Sequence, residues 1–196
     1  MYTKTISLLF TVFSFIMSYA QGGKTDYLNV PGPIVLGKDT FKLAWTSHPS
    51  PAYYKQEYIT AKDKLEKFKK MVMVEALTGD SRPADLVKAK TTELNQMKQT
   101  NPIVNYETFQ KNGEYMLDFL ISENSADGKK VNILERNVYR YKAVTDQNGK
   151  KAVILFAASE RAYGNEVDAF LLALKTNKST LQNAVAAFTL PQVTFK

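Results

Sequence analysis

Apolar and polar positions alternate clearly in "YYKQEYI", where Tyr54, Gln56 and Tyr58 fall on one side and Tyr53, Lys55, Glu57 and Ile59 on the other. Aromatic content and the flanking Pro51 and Thr60 suit a strand. Thr60-Ala-Lys-Asp63 resembles a helix capping box, and Leu65 and Phe68 are spaced for one amphipathic turn of helix. "MVMVEAL" (Met71–Leu77) is apolar and short, which favours a buried strand. Pro83 suits the first turn of a helix. From Ala84 to Gln99 there is no Gly or Pro, and Val87, Leu94 and Met97 form one apolar stripe with Thr91 between them, so a long helix is predicted.

Strand chemistry returns after Asn101-Pro102. Ile103–Phe109 and Glu114–Ser122 flank Asn112-Gly113. In the second of these, Tyr115, Leu117, Phe119 and Ile121 alternate with Glu114, Met116, Asp118 and Leu120. Asp127-Gly128 predicts a hairpin loop and Asn148-Gly149 a type I′ turn. Between them Val131–Val144 reads as a strand whose alternation changes phase near Leu134-Glu135, the mark of a bulge. "AVILFAAS" (Ala152–Ser159) is apolar on both faces and reads as a central strand. Two short helices are expected to follow. Asn165 caps the first, whose stripe is Val167, Phe170, Leu171 and Leu174. Ser179-Thr-Leu-Gln182 caps the second, whose stripe is Leu181, Ala184, Val185 and Phe188, and Pro191 stops it. Strands in a run with segregated helices give an α+β class: a curved antiparallel sheet with a long helix after the second strand and C-terminal helices packed on it.

The N-terminus changes where this fold is expected to work. Lys4 precedes an apolar run from Ile6 to Met17, and Ser18-Tyr19-Ala20 places small residues at −3 and −1 of a cut before Gln21. That run is shorter than the roughly 20 residues a membrane span needs. Residues 1–20 therefore read as a signal peptide, residues 21–40 as a partly ordered Gly/Pro-rich leader, and residues 41–196 as a single α+β domain. Export to the periplasm or the exterior is expected, with no transmembrane segment after the signal is removed. There is no Cys, so the core alone must hold the domain.

Charge narrows the partners. The formal net charge is +7. Lys55–Lys70 and Lys129–Lys151 carry most of the excess. A basic face favours an anionic ligand or an acidic protein partner, and equally a solvated surface. "RNVYRYK" is the strongest binding candidate: Arg136, Arg140 and Lys142 share one face, and Tyr139 and Tyr141 the other. Single-stranded nucleic acid needs aromatics and cations on the same face, so nucleic-acid binding is not expected.

Catalytic constellations are sparse. One His and no Cys exclude Cys/His zinc sites. His48 is the single candidate base for a serine triad. It sits in "WTSHPSPAYY", and no Gly-x-Ser-x-Gly elbow presents a nucleophile. This stretch reads instead as a loop leading into the first strand, with Trp45 packed on the sheet edge. Phosphate-binding glycine loops and calcium loops are absent, and no cofactor is expected. Asp118 and Glu135 lie on strands expected to pair and are the carboxylates a glycoside hydrolase would need. The competing arrangement is a cross-strand pair of Asp118 with Arg136. Glu160 and Arg161 read as a polar strand end.

"EYITAKDKLEKFKKMVMV", followed by "EYMLDFLI", "VNILERNVYRYKAV" and "KAVILFAASERAY", resembles in layout the secreted α+β domains of the PsbP-like kind over Tyr53–Phe188. The layout is equally that of an uncharacterised exported bacterial family. The PsbP-like resemblance implies an accessory or binding protein with no catalytic signature, which is fold-level analogy. The function expected is thus a non-enzymatic exported binding or accessory protein. A secreted hydrolase using paired carboxylates, or a stabilising or inhibitory subunit of another secreted protein, are the alternatives.

Overall fold

The run Ala152–Ser159 lies at the centre of the sheet, where both of its faces are covered. The computed structural model describes residues 24–195, so the expected signal peptide lies outside the described residues. Among the described residues there are eight strands: β1 Ile34–Leu36, β2 Asp39–Ser50, β3 Tyr53–Ile59, β4 Lys70–Thr78, β5 Asn105–Lys111, β6 Glu114–Asn124, β7 Val131–Thr145 and β8 Lys151–Tyr163. With them are two α-helices, α1 Pro83–Lys98 and α2 Val167–Ala187. The strands pair antiparallel in the order β1-β2-β3-β4-β8-β7-β6-β5, and the sheet curls into a half-barrel. An α+β class with a curved antiparallel sheet is what the alternation predicts.

Period 2 sorts the side chains onto two faces. On the first, Tyr54, Tyr58, Val72, Val74, Ala76, Val138, Ile154, Phe156 and Ala158 form the main core with Leu28, Val30, Ile34, Leu36 and Phe41 from the N-terminal segment. Helix α2 closes this face with Leu181, Ala184, Val185 and Phe188, and the Phe156 and Phe188 rings stack at 4.2 Å. Each fully buried Leu or Phe stabilises by roughly 1.5–3 kcal/mol. On the second face, Val87 and Leu94 of α1 pack with Leu117, Phe119, Tyr141, Val153 and Ala157.

Several local expectations differ. The stretch 24–50, read without regular elements, holds β1 and β2 and supplies core. Gln56 ties it down. Its buried amide accepts from the backbone N–H groups of Tyr27 (2.8 Å) and Leu28 (3.0 Å) and donates to the Val30 carbonyl (3.2 Å). The long helix follows the fourth strand because of these two additional strands. Thr60–Asp63 makes its capping bond (2.6 Å) without a helix, because Asp63 also accepts from the Lys69 N–H and closes the loop. Asn112-Gly113 is the two-residue hairpin, with both residues at positive φ (52° and 77°) as a type I′ turn requires. At Asn148-Gly149 the loop is longer, because the Asp146 carboxylate captures the N–H groups of Asn148 (2.9 Å) and Lys150 (2.8 Å). Leu134-Glu135 is not bulged: both neighbours pair in continuous register there. The apparent phase change arises because Glu135, Arg136 and Asn137 are polar yet buried. The two expected C-terminal helices are one, since no Gly or Pro interrupts Val167–Ala187.

Candidate functional site

Arg136, Arg140 and Lys142 do share one face of β7, and that face is the one α2 covers. Arg136 is 2% exposed. Its guanidinium grips Asp118 in a fork, with Nε at 3.1 Å from Oδ1 and Nη2 at 2.8 Å from Oδ2. It also donates to the Lys178 carbonyl of α2 at 2.6 Å. Arg140 donates to Glu114 at 2.6 Å and to the carbonyls of Val185, Ala186 and Phe188. Lys142, with 43% of its side chain exposed, shares Glu114 at 3.0 Å. The three charges are thus engaged inside the fold, a placement that alternation alone does not reveal.

The carboxylates do not converge. Asp118 lies on the α2 face under Arg136 and accepts from Gln182 at 2.8 Å. Glu135 points to the opposite face and pairs with Arg161. Glu160 sits in register with Arg136 and Lys70 on the α2 face. Arg161 is not a solvated strand end: it is 7% exposed and its guanidinium lies 3.9 Å from the Phe68 ring centroid. His48 belongs to β2, not to a loop; its ring stacks on Tyr54 at 4.1 Å and its Nδ1 donates to the Tyr53 carbonyl at 3.0 Å. Trp45 also belongs to β2, opposite Glu57, with the Lys55 ammonium 5.8 Å from its ring.

The second face carries a different arrangement. A cavity of about 110 Å³ lies between α1, the loop before β4 and the sheet. Its apolar wall includes Phe68, Met71, Met73, Met97 and Phe119. Its polar wall comes from β3, β6, β7, β8 and α1, with Glu75 of β4 behind it. Lys55 and Glu57 of β3 pair at 2.9 Å, and Glu75 of β4 approaches the same ammonium at 3.9 Å. Burial opposes the charge on Lys55, but Glu75 and Glu57 outweigh it and hold the ammonium above the ordinary lysine range. Burial and Glu75 together push the Tyr53 phenol far up, and burial does the same to Tyr139. Both phenols therefore stay protonated.

Asn137 of β7 stands in the middle of this wall, 1% exposed. The Ser159 hydroxyl donates to its Oδ1 at 2.5 Å. Among the described residues its Nδ2 is the buried side-chain atom with no hydrogen-bond partner. Leaving such a donor unpaired costs about 1–3 kcal/mol. The register explains the placement: Met71, Ser159, Asn137 and Phe119 line up across β4, β8, β7 and β6. Alternation singled out none of these as a site. The one indirect signal was Glu75, behind the wall, inside an otherwise apolar seven-residue run: a charge that must find a buried partner, here Lys55 of the wall.

Among the described residues no three His, Asp or Glu side chains are grouped to hold a metal ion, and no helix is long and apolar enough to cross a membrane. One family model, that of an uncharacterised family, matches residues 28–190. This corrects the PsbP-like resemblance, which the match does not support, and fits the uncharacterised alternative. No curated protein and no solved structure matches.

Proposed function

Since the chain belongs to that uncharacterised family over residues 28–190, its function has to be argued from its own side chains, and we propose that it is an exported, non-enzymatic binding module whose ligand seat is the cavity under α1. One observation carries the reading: the Asn137 amide is buried against a cavity with a donor unspent. Folded chains satisfy nearly all such groups with protein or ordered water, so this donor calls for a partner that the fold does not supply. The mixed wall supports it, since ligand seats combine apolar area with a few convergent polar groups. Export rests on the Ile6–Met17 run and the Ser18-Tyr19-Ala20 boundary.

Native mass spectrometry of the protein purified from its own compartment tests the seat. The expected result is a non-covalent small-molecule adduct that is lost on denaturation. A spectrum of the bare chain alone, from gently handled material, counts against an occupied cavity.

A further inference from the structure

We infer that the ligand is a small neutral amphipathic molecule, a hydrocarbon body bearing one carbonyl or hydroxyl oxygen that accepts from Asn137. This inference rests on the cavity being a ligand seat, as proposed above. Three features of the wall select that class.

Charge is selected against first. Lys55, Lys90 and Arg161 line the cavity, and each already has a carboxylate: Glu57 at 2.9 Å, Glu93 at 3.0 Å, and Glu135 in direct contact. An anion would be desolvated next to cations whose charges are already answered, and a cation would meet only Glu123 among the lining carboxylates outside those three pairs, so either gains little Coulomb energy to offset the loss of water. Second, the open hydrogen-bonding capacity is narrow. Ser159 holds Oδ1 of Asn137, and the free Nδ2 calls for an acceptor. A ketone, amide or alcohol oxygen supplies one without bringing charge. Third, the apolar part of the wall is mostly thioether and ring, with Ile121 and Ile133 beside them. Met71, Met73 and Met97 adapt to irregular hydrocarbon shapes, and Phe119 offers a flat surface. A cavity of about 110 Å³ admits a body of roughly one six-membered ring, close to the size at which engineered apolar cavities take up benzene.

The test uses four probes built on one six-membered ring, the first two of them isosteric, on the full mature chain: cyclohexanone, methylenecyclohexane, cyclohexanecarboxylate and cyclohexylammonium. Binding is read from the methyl signals of Met73 and Met97 by NMR. Both neutral probes are expected to shift these signals saturably, and both charged probes are not. The decisive quantity is the preference for ketone over olefin, compared between wild type and Asn137→Leu. It is expected to fall at least tenfold in the variant, the equivalent of one lost hydrogen bond of about 1.4 kcal/mol. An unchanged preference, or tighter binding of either charged probe than of cyclohexanone, overturns the ligand class and leaves the seat intact. Failure of all four probes to move Met73 and Met97 overturns the seat itself. Should Asn137→Leu not fold, the wild type still decides. The carbonyl stretch of bound cyclohexanone is expected below its position in a hydrocarbon solvent, and an unshifted stretch overturns the inference.

Discussion

Replacing Arg140 by glutamate separates two roles for the basic strand. Helix α2 has no basic residue in its last turn, so its C-terminal carbonyls depend on a cation from elsewhere. Arg140 supplies it from β7, with Nη1 at 3.2, 3.1 and 2.7 Å from the carbonyls of Val185, Ala186 and Phe188. Its Nε holds Glu114 at 2.6 Å, and 15% of the side chain is exposed. Hydrogen bonds to charged groups contribute about 1.5–3 kcal/mol net. The three carbonyls share one nitrogen, so their contributions do not add in full. The helix-end charge contributes about 0.3–1 kcal/mol more, and reversal sets a carboxylate beside Glu114. A loss of about 3 kcal/mol is expected, or about 6–12 °C in Tm for a chain of this length. Urea titration and calorimetry measure it, alongside retention on dextran sulfate. Lys142→Glu, at a largely exposed ammonium, is expected to cost under about 1 kcal/mol. If Arg140→Glu unfolds within about 0.5 kcal/mol of the parent yet leaves the anionic matrix early, Arg140 is a binding residue and its capping role is refuted.

Further outcomes follow from the same geometry. Arg136→Met strands the buried Asp118 carboxylate and is expected to cost about 3–5 kcal/mol, while the double variant with Asp118→Leu recovers most of that in a urea series. Burial works against the Glu114 charge but is outweighed by the hydrogen bonds from Arg140 and Lys142, so its carboxyl titrates below the ordinary range. A depressed folded value means that its contribution is present above the unfolded pKa of about 4.3 and is lost as pH falls through the folded value. Glu114→Gln is therefore expected to flatten the stability curve below about pH 4.3, and a slope identical to the parent's refutes the pairing. N-terminal sequencing of the secreted protein is expected to begin at Gln21, and a start at Met1 refutes export by a cleaved signal.

Period and punctuation made much of this fold legible. The twice-apolar run of β8, the unbroken helix-forming stretch of α1 and the alternation in β3 and β6 are local signals, and each matches the observed element. Alternation also put Arg136, Arg140 and Lys142 on one face of β7. What it could not supply was the cover. Whether a face meets water or a helix depends on contacts with α2, some 42–48 residues away. Surface charge and buried fork look identical in "RNVYRYK". The same limit hid the cavity wall, whose members are scattered over β3, β4, β6, β7, β8 and α1 and meet only in the folded chain. β1 and β2 were missed for another reason. Gly and Pro signal flexibility locally, whereas here a single buried amide, Gln56, fixes the segment through three hydrogen bonds.

Two faces of one sheet therefore hold ionic groups for different ends. On the α2 face each cation closes a contact between elements: Arg136 joins β6, β7 and α2, and Arg140 joins β6, β7 and the end of α2. Removing one loosens the packing of a helix, and the effect belongs to stability. On the α1 face the pairs Lys55–Glu57 and Arg161–Glu135 each lie between neighbouring residues of the sheet itself, within one strand or across two adjacent ones. Arg161 also reaches the Phe68 ring of the loop before β4, but the packing of α1 is carried by Val87 and Leu94 and not by these pairs. Burying two ion pairs where apolar residues of similar volume would be neutral or more stable calls for a reason other than stability. A seat that must exclude charge while presenting one amide donor supplies that reason. It also sets a contrast within one chain: Arg161→Met together with Glu135→Leu is expected to cost less than Arg140→Glu, because neither ion of the pair is left uncompensated, even though Arg161 also gives up its contacts with Phe68 and Tyr163. Equal losses from the two would mean that both faces serve the fold alone, and the cavity would then be a packing defect.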